Sequence, residues 1–129
     1  MLQKKKYNTE LVNTIIGEDC EVKGSLHSQR SIRVEGTLEG EINSQGEVFI
    51  GVKSKVKANI IARRITICGE VIGNIEAIDG LEILESGRVY GDITGNKLMI
   101  EEGAIYKGKV NMDIIAAKNL YEGKVEYAK

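Results

Sequence analysis

The chain has 129 residues, a single-domain length, and its 18 basic side chains against 19 acidic ones leave a formal net charge of -1. That balance excludes a nucleic-acid binder held by a dominant positive field. Glycine contributes 15 residues, proline and tryptophan are absent and phenylalanine occurs once, which excludes collagen and proline-rich linkers and leaves a folded, glycine-punctuated, β-branched chain.

In chain order the first segment is a tail over residues 1–13, opening Met1-Leu2-Gln3-Lys4-Lys5-Lys6-Tyr7, an apolar tip joined to a lysine run. Two readings of it stand. One is a solvated tail. The other is a short membrane tether, in which Met1 and Leu2 insert while Lys4, Lys5 and Lys6 each gain ~1 kcal/mol near an anionic surface. No apolar run approaches the ~20 residues of a membrane-spanning helix. The opening residues carry no secretory signal, so the expected setting is a reducing compartment with Cys20 and Cys68 as free, buried thiols.

From residue 14 onward the chain repeats itself. A unit of the form apolar-x-small-x-apolar returns at Val22 to Leu26, Leu38 to Ile42, Val56 to Ile60, Val71 to Ile75, Val89 to Ile93 and Tyr106 to Val110. Its central small residue advances by 16, 18, 15, 18 and 17 positions. Between these copies lies an apolar-x-apolar unit at Ile32/Val34, Val48/Ile50, Ile65/Ile67, Leu81/Ile83 and Leu98/Ile100, with steps of 16, 17, 16 and 17. A third row holds Ser28, Ser44, Ala62, Ala77, Gly95 and finally Met112.

Alternation with period two means strands, since successive side chains point to opposite faces. Strands recurring every ~17 residues, with no helical segment between them, predict an all-β solenoid of parallel strands in which each turn stacks on the last. Three short strands per turn make it roughly triangular. The apolar columns then become inward ladders, and the third row fits a tight inner corner. Gly36, Gly51, Gly69, Gly87 and Gly103 follow the second unit, where the chain bends and a positive φ is useful. Six turns at ~4.8 Å make a rod about 25–30 Å long.

Beyond it, the segment Asp113 to Leu120 within residues 113–129 reads either as a tail or as a short capping helix with Asp113 at its N-cap. His27 stands alone, as an exposed strand histidine. No histidine-rich metal set and no glycine-rich phosphate loop is present, so neither cofactor nor metal is expected. A left-handed hexapeptide β-helix enzyme, acyltransferase-like, is the rival architecture. Its six-residue rhythm fits poorly, because here the spacing alternates between four and six. A β-helix adaptor that never polymerises is a further alternative, if residues 113–129 cap the rod. Phe49, Ile61, Ile72, Tyr90 and Met99 are outward apolar positions, either scattered or a lateral contact for bundling or a partner.

The stretches Ile32-Arg33-Val34-Glu35-Gly36-Thr37-Leu38-Glu39-Gly40-Glu41-Ile42 and Ile67-Cys68-Gly69-Glu70-Val71-Ile72-Gly73-Asn74-Ile75 resemble the core of the bactofilins, bacterial polymer-forming cytoskeletal proteins. Leu98 to Gly108 resembles the last turn of that family, and the likeness covers residues 14–112. It implies a right-handed parallel β-helix and a non-enzymatic scaffold that assembles end to end, without nucleotide, into non-polar filaments. It also implies a cytoplasmic protein, peripheral at the inner face of the membrane, that organises cell-envelope, shape or motility machinery. The sequence carries no long proline-rich flanking segment of the kind many members have. An aromatic, usually Phe, occupies the Tyr106 position in the family, near the C-terminal contact, and the opening residues resemble the membrane-targeting peptides of several members.

Such a rod has two open ends of unpaired backbone groups and apolar cross-section, which invite pairing. The expected polymerisation interface is Ile15, Ile16, Cys20, Val22 and Leu26 at one end and Tyr106, Val110 and Met112 at the other. Isologous contacts, head to head and tail to tail, would make the filament non-polar. Tyr106 reads equally as a plug of its own core.

Overall fold

A computed structural model describes residues 14–112. They form 13 strands in one parallel sheet, β1 (Thr14–Ile16), β2 (Glu21–Ser28), β3 (Ile32–Val34), β4 (Thr37–Ser44), β5 (Glu47–Ile50), β6 (Lys55–Ile67), β7 (Glu70–Ile72), β8 (Ile75–Ile83), β9 (Arg88–Tyr90), β10 (Ile93–Gly95), β11 (Leu98–Ile100), β12 (Ile105–Lys107) and β13 (Val110–Met112). No helix occurs among the described residues.

The chain winds so that each turn crosses the same faces. Face A stacks Val22, Leu38, Val56, Val71, Val89 and Tyr106 in register. Face B stacks Leu26, Ile42, Ile60, Ile75, Ile93 and Val110. Face C begins at β1 and stacks Thr14, Ile32, Val48, Ile65, Leu81 and Leu98. These are the columns the repeat predicts, because in a parallel solenoid the hydrogen-bonding register and the sequence period are the same quantity. β-branched side chains dominate the ladders, where a stiff χ1 packs well on a pleated surface. From Leu38 to Val110 every face A and face B ladder residue is buried. The third row also behaves as expected. Ser44, Ala62 and Ala77 are buried, and a Cβ on Gly95 would collide with the Ala77 carbonyl.

Two expectations need correction. Of Gly36, Gly51, Gly69, Gly87 and Gly103 only Gly103 has a positive φ, 101°. Gly36, Gly69 and Gly87, which share a register position, are small for space: a Cβ on Gly36 would strike the carbonyl oxygens of Gly17 and Cys20, one on Gly69 that of Gly51 and one on Gly87 that of Ile67. Left-handed backbone belongs to the centre of the other unit, where Gly24, Gly40, Gly73, Gly91 and Gly108 have φ of 130° to 152°. There the chain turns from face A to face B, and in the later turns it breaks β7 from β8, β9 from β10 and β12 from β13. The second correction concerns the thiols. Both are free, but Cys20 is exposed and only Cys68 is buried.

Candidate assembly surfaces

Among the described residues each end of the rod is a set of strands with one paired edge. At the N-terminal end, β1 pairs with β3 and β2 with β4 among the described residues. Val22 and Leu26 pack against the core yet stay half-exposed, whereas Leu38 and Ile42, one turn further in, are 0% and 1% exposed. Ile16 is buried, Cys20 exposed, and Ile15, pointing out of face C, is 64% exposed. Val22, Leu26 and Cys20 thus lie in the first turn, as the sequence expects, and Ile15 lies on its flank.

At the C-terminal end β11, β12 and β13 each pair on one side among the described residues, with β8, β9 and β10. Tyr106 is 0% exposed and Val110 is buried. The Tyr106 hydroxyl lies 2.8 Å from both the Gly91 and the Lys109 carbonyl oxygens and donates its proton there. It thereby ties the last corner to the one before. A buried phenol needs such a partner, since an unmet donor in the core costs about 1–3 kcal/mol. Tyr106 is therefore a plug of its own core. Met112 pairs with Gly95 in register, and its side chain lies outside the described set.

The lateral candidates divide among three faces. Phe49 and Met99 share the outward row of face C, where Phe49 lies under the Arg33 guanidinium, 4.6 Å from its ring centre, and Arg33 in turn is held by Glu35 at 2.6 Å. Ile61 sits on face B between Asn43 and Glu76. Ile72 and Tyr90 adjoin, being register partners on face A. One pair of the five thus forms a contiguous surface.

A polar ladder escapes the sequence reading. At the corner just after the central small residue, from the third copy of the unit onward, the Asn59 side-chain carbonyl accepts from the Asn74 backbone N–H, the Asn74 side-chain carbonyl from the Asp92 N–H, and the Asp92 carboxylate from the Lys109 N–H. It satisfies N–H groups at the corner, and its signal was available as the column directly after the small residue. Burial pushes the Cys68 thiol up from its ordinary pKa, the Glu101 and Glu35 carboxylates push the same way, and Arg33 opposes them. His27 is exposed on β2, and no group of three His, Cys, Asp or Glu side chains gathers to hold a metal among the described residues. Met1, Leu2, Lys4, Lys5, Lys6 and the segment from Asp113 to Leu120 lie outside the described residues.

Comparison with known proteins places this geometry. The family described as bactofilin, polymer-forming cytoskeletal, matches residues 14–111. Bactofilin BacO of Myxococcus xanthus is 32% identical over 110 residues, 85% of this chain and 87% of that protein. Bactofilin BacP of the same organism is 32% identical over 100 residues, which are 78% of this chain but 42% of the relative. Among solved structures, a chain from a cryo-EM reconstruction of Thermus thermophilus bactofilin double helical filaments superposes with a TM-score of 0.73 at 27% identity, covering 77% of this chain and 98% of the other.

Proposed function

The chain belongs to the bactofilin family of polymer-forming cytoskeletal proteins, and from that premise we propose that it is a non-catalytic scaffold whose solenoid stacks head to head and tail to tail into non-polar filaments. The observation that carries this reading is the unfinished first turn: Val22 and Leu26 stay half-exposed where the same columns are sealed one turn later. A second copy seated there would continue the ladders and pair the edges of β1 and β2 that have no partner among the described residues. Contacts between like ends are isologous and closed, so two kinds of junction alternate along the rod and the filament has no polarity. Hydrophobic stacking and backbone pairing need no nucleotide, and assembly follows concentration. The filament would lie on the inner face of the cytoplasmic membrane, tethered by Met1, Leu2 and the lysine run, and organise cell-envelope, shape or motility proteins. One weak tail per subunit suffices there, because a filament presents many at once.

Stoichiometry tests the polarity. The double variant Val22→Lys with Leu26→Lys blocks the N-terminal end and should leave dimers joined through their C-terminal ends, measured by sedimentation velocity. Monomers from that variant would mean a head-to-tail, polar filament, and long filaments in negative stain would mean that the first turn is not a contact. Unmodified protein should form the same filaments with and without added nucleotide.

A further inference from the structure

The adjacent pair Ile72 and Tyr90 lies in the outward row of face A, which reads Lys23, Glu39, Lys57, Ile72, Tyr90 and Lys107 from one end to the other. Lys57 and Lys107 therefore bracket the apolar pair, about 15 Å apart at strand spacing. The neighbouring outward row adds Lys55 and Arg88, with Glu70 between them in register and paired to Arg88 at 3.7 Å. Lys55, Lys57 and Lys107 make no ion pair among the described residues. Ile72 is 41% exposed. Over the same turns the outward row of face B through Ile61 and Glu76 and that of face C through Thr66 and Glu82 hold no cation. The exposed Arg63 beside face C is held by Asp79 at 2.7 Å, while Arg64 on face C and Lys109 at the face B corner stand apart from any exposed apolar pair of register partners.

We propose that this half of face A is itself a contact for an anionic lipid bilayer, separate from the N-terminal tail. The chemistry fits a bilayer better than a second copy. Face A laid antiparallel on itself would set lysine against lysine, and like charges at close range repel. An anionic surface instead attracts each lysine, by roughly fivefold in affinity, while an aliphatic side chain and a half-buried tyrosine suit the headgroup boundary. The parallel strands hold these groups on one side of a stiff sheet, so no ordering is needed on contact. Avidity here rests on the filament reading, since one patch is weak and a row of them is not.

The test is co-sedimentation of the full chain with phosphatidylcholine vesicles, with and without phosphatidylglycerol, at low and high salt. The background variant carries Lys4→Gln, Lys5→Gln and Lys6→Gln, which removes the tail's charge. That variant should still bind anionic vesicles, release them at high salt and ignore neutral ones. Adding Lys57→Gln and Lys107→Gln should weaken binding by roughly thirtyfold, two lysines at the figure above. Failure of the tail-neutralised chain to bind, or unchanged binding after the face A substitutions, overturns the proposal. So does a change in filament bundling without a change in lipid binding, which would make face A a protein contact. Negative stain of each variant checks the filaments independently, so that loss of polymer is told apart from loss of the lipid contact.

Discussion

The two ends of the rod close in different ways. At the first turn the ladder residues Val22 and Leu26 are half-exposed and nothing lies within 4 Å of a Cβ built on Gly24. At the last turn Tyr106 and Val110 are buried, and a Cβ on Gly108 would run into the Gly91 carbonyl and lie 2.8 Å from the Tyr106 hydroxyl. The lesson is that stickiness and stability are separable at one end and fused at the other. Val22 and Leu26, packed on the core on one side only, contribute less to the fold than their counterparts one turn further in until something stacks on them. Tyr106 stabilises the fold whether or not anything does.

The largest expected effect follows from that. Tyr106→Ala removes a buried aromatic and leaves the Gly91 and Lys109 carbonyls without its proton, so it should cost about 3–5 kcal/mol in urea unfolding. Tyr106→Phe keeps the ring and should lose only about 1 kcal/mol, the net worth of the hydrogen bond. Leu26→Ala should cost markedly less than Tyr106→Ala, since Leu26 already meets water. Equal losses at Leu26 and Tyr106 would break the comparison.

Glycine substitutions sharpen it further. Gly24 and Gly108 have φ of 130° and 152°, so alanine is strained at both, by about 1–3 kcal/mol. At Gly24 that strain is the whole cost. At Gly108 the new methyl must also displace the Gly91 carbonyl and crowd the Tyr106 hydroxyl, and Gly108→Ala should be the more destabilising by at least about 1 kcal/mol in the same measurement. If Gly24→Ala is the worse of the two, the first turn is more crowded in solution than its geometry allows.

Nearly the whole fold was legible in the sequence, because the spacing of Val22, Leu38, Val56, Val71, Val89 and Tyr106 is the register of face A. What misled was glycine. Gly36 and Gly40 look alike in a sequence, but the first is small to clear a neighbouring carbonyl and the second to adopt a left-handed φ, and only the backbone path tells space from dihedral. Cys20 was misread for a related reason. Its column also holds Ser54, Gly69 and Gly87, which are buried in later turns, whereas Cys20 belongs to the turn that nothing covers among the described residues. The pairing of Ile72 with Tyr90 was within reach, as each stands directly before a central glycine and so in the same slot of the repeat. The partners of the Tyr106 hydroxyl were not, since they depend on where the last corner brings two carbonyls.

The smallest effects concern the two thiols, which report on the exposed first turn and the sealed interior. Cys20 is exposed and should react within the mixing time with a disulfide reagent at neutral pH, while Cys68, buried and beside Glu35 and Glu101, should react slowly. Only the thiolate attacks, and a raised pKa means less of it at any given pH. The Cys68 rate should therefore keep climbing with pH above the range where an ordinary thiol is fully ionised. The sign for stability follows by linkage: a group whose folded pKa is raised contributes stability that is present below its unfolded value and lost as pH rises through the folded one. Cys68→Ser should accordingly reduce the alkaline loss of stability relative to the parent, by a margin small beside the Tyr106 effect. Assembly adds the deciding measurement. If like N-terminal ends stack, polymer should protect Cys20 from the reagent and leave the Cys68 rate unchanged; a Cys20 equally fast in filaments and in the Val22→Lys, Leu26→Lys variant would place the junction elsewhere.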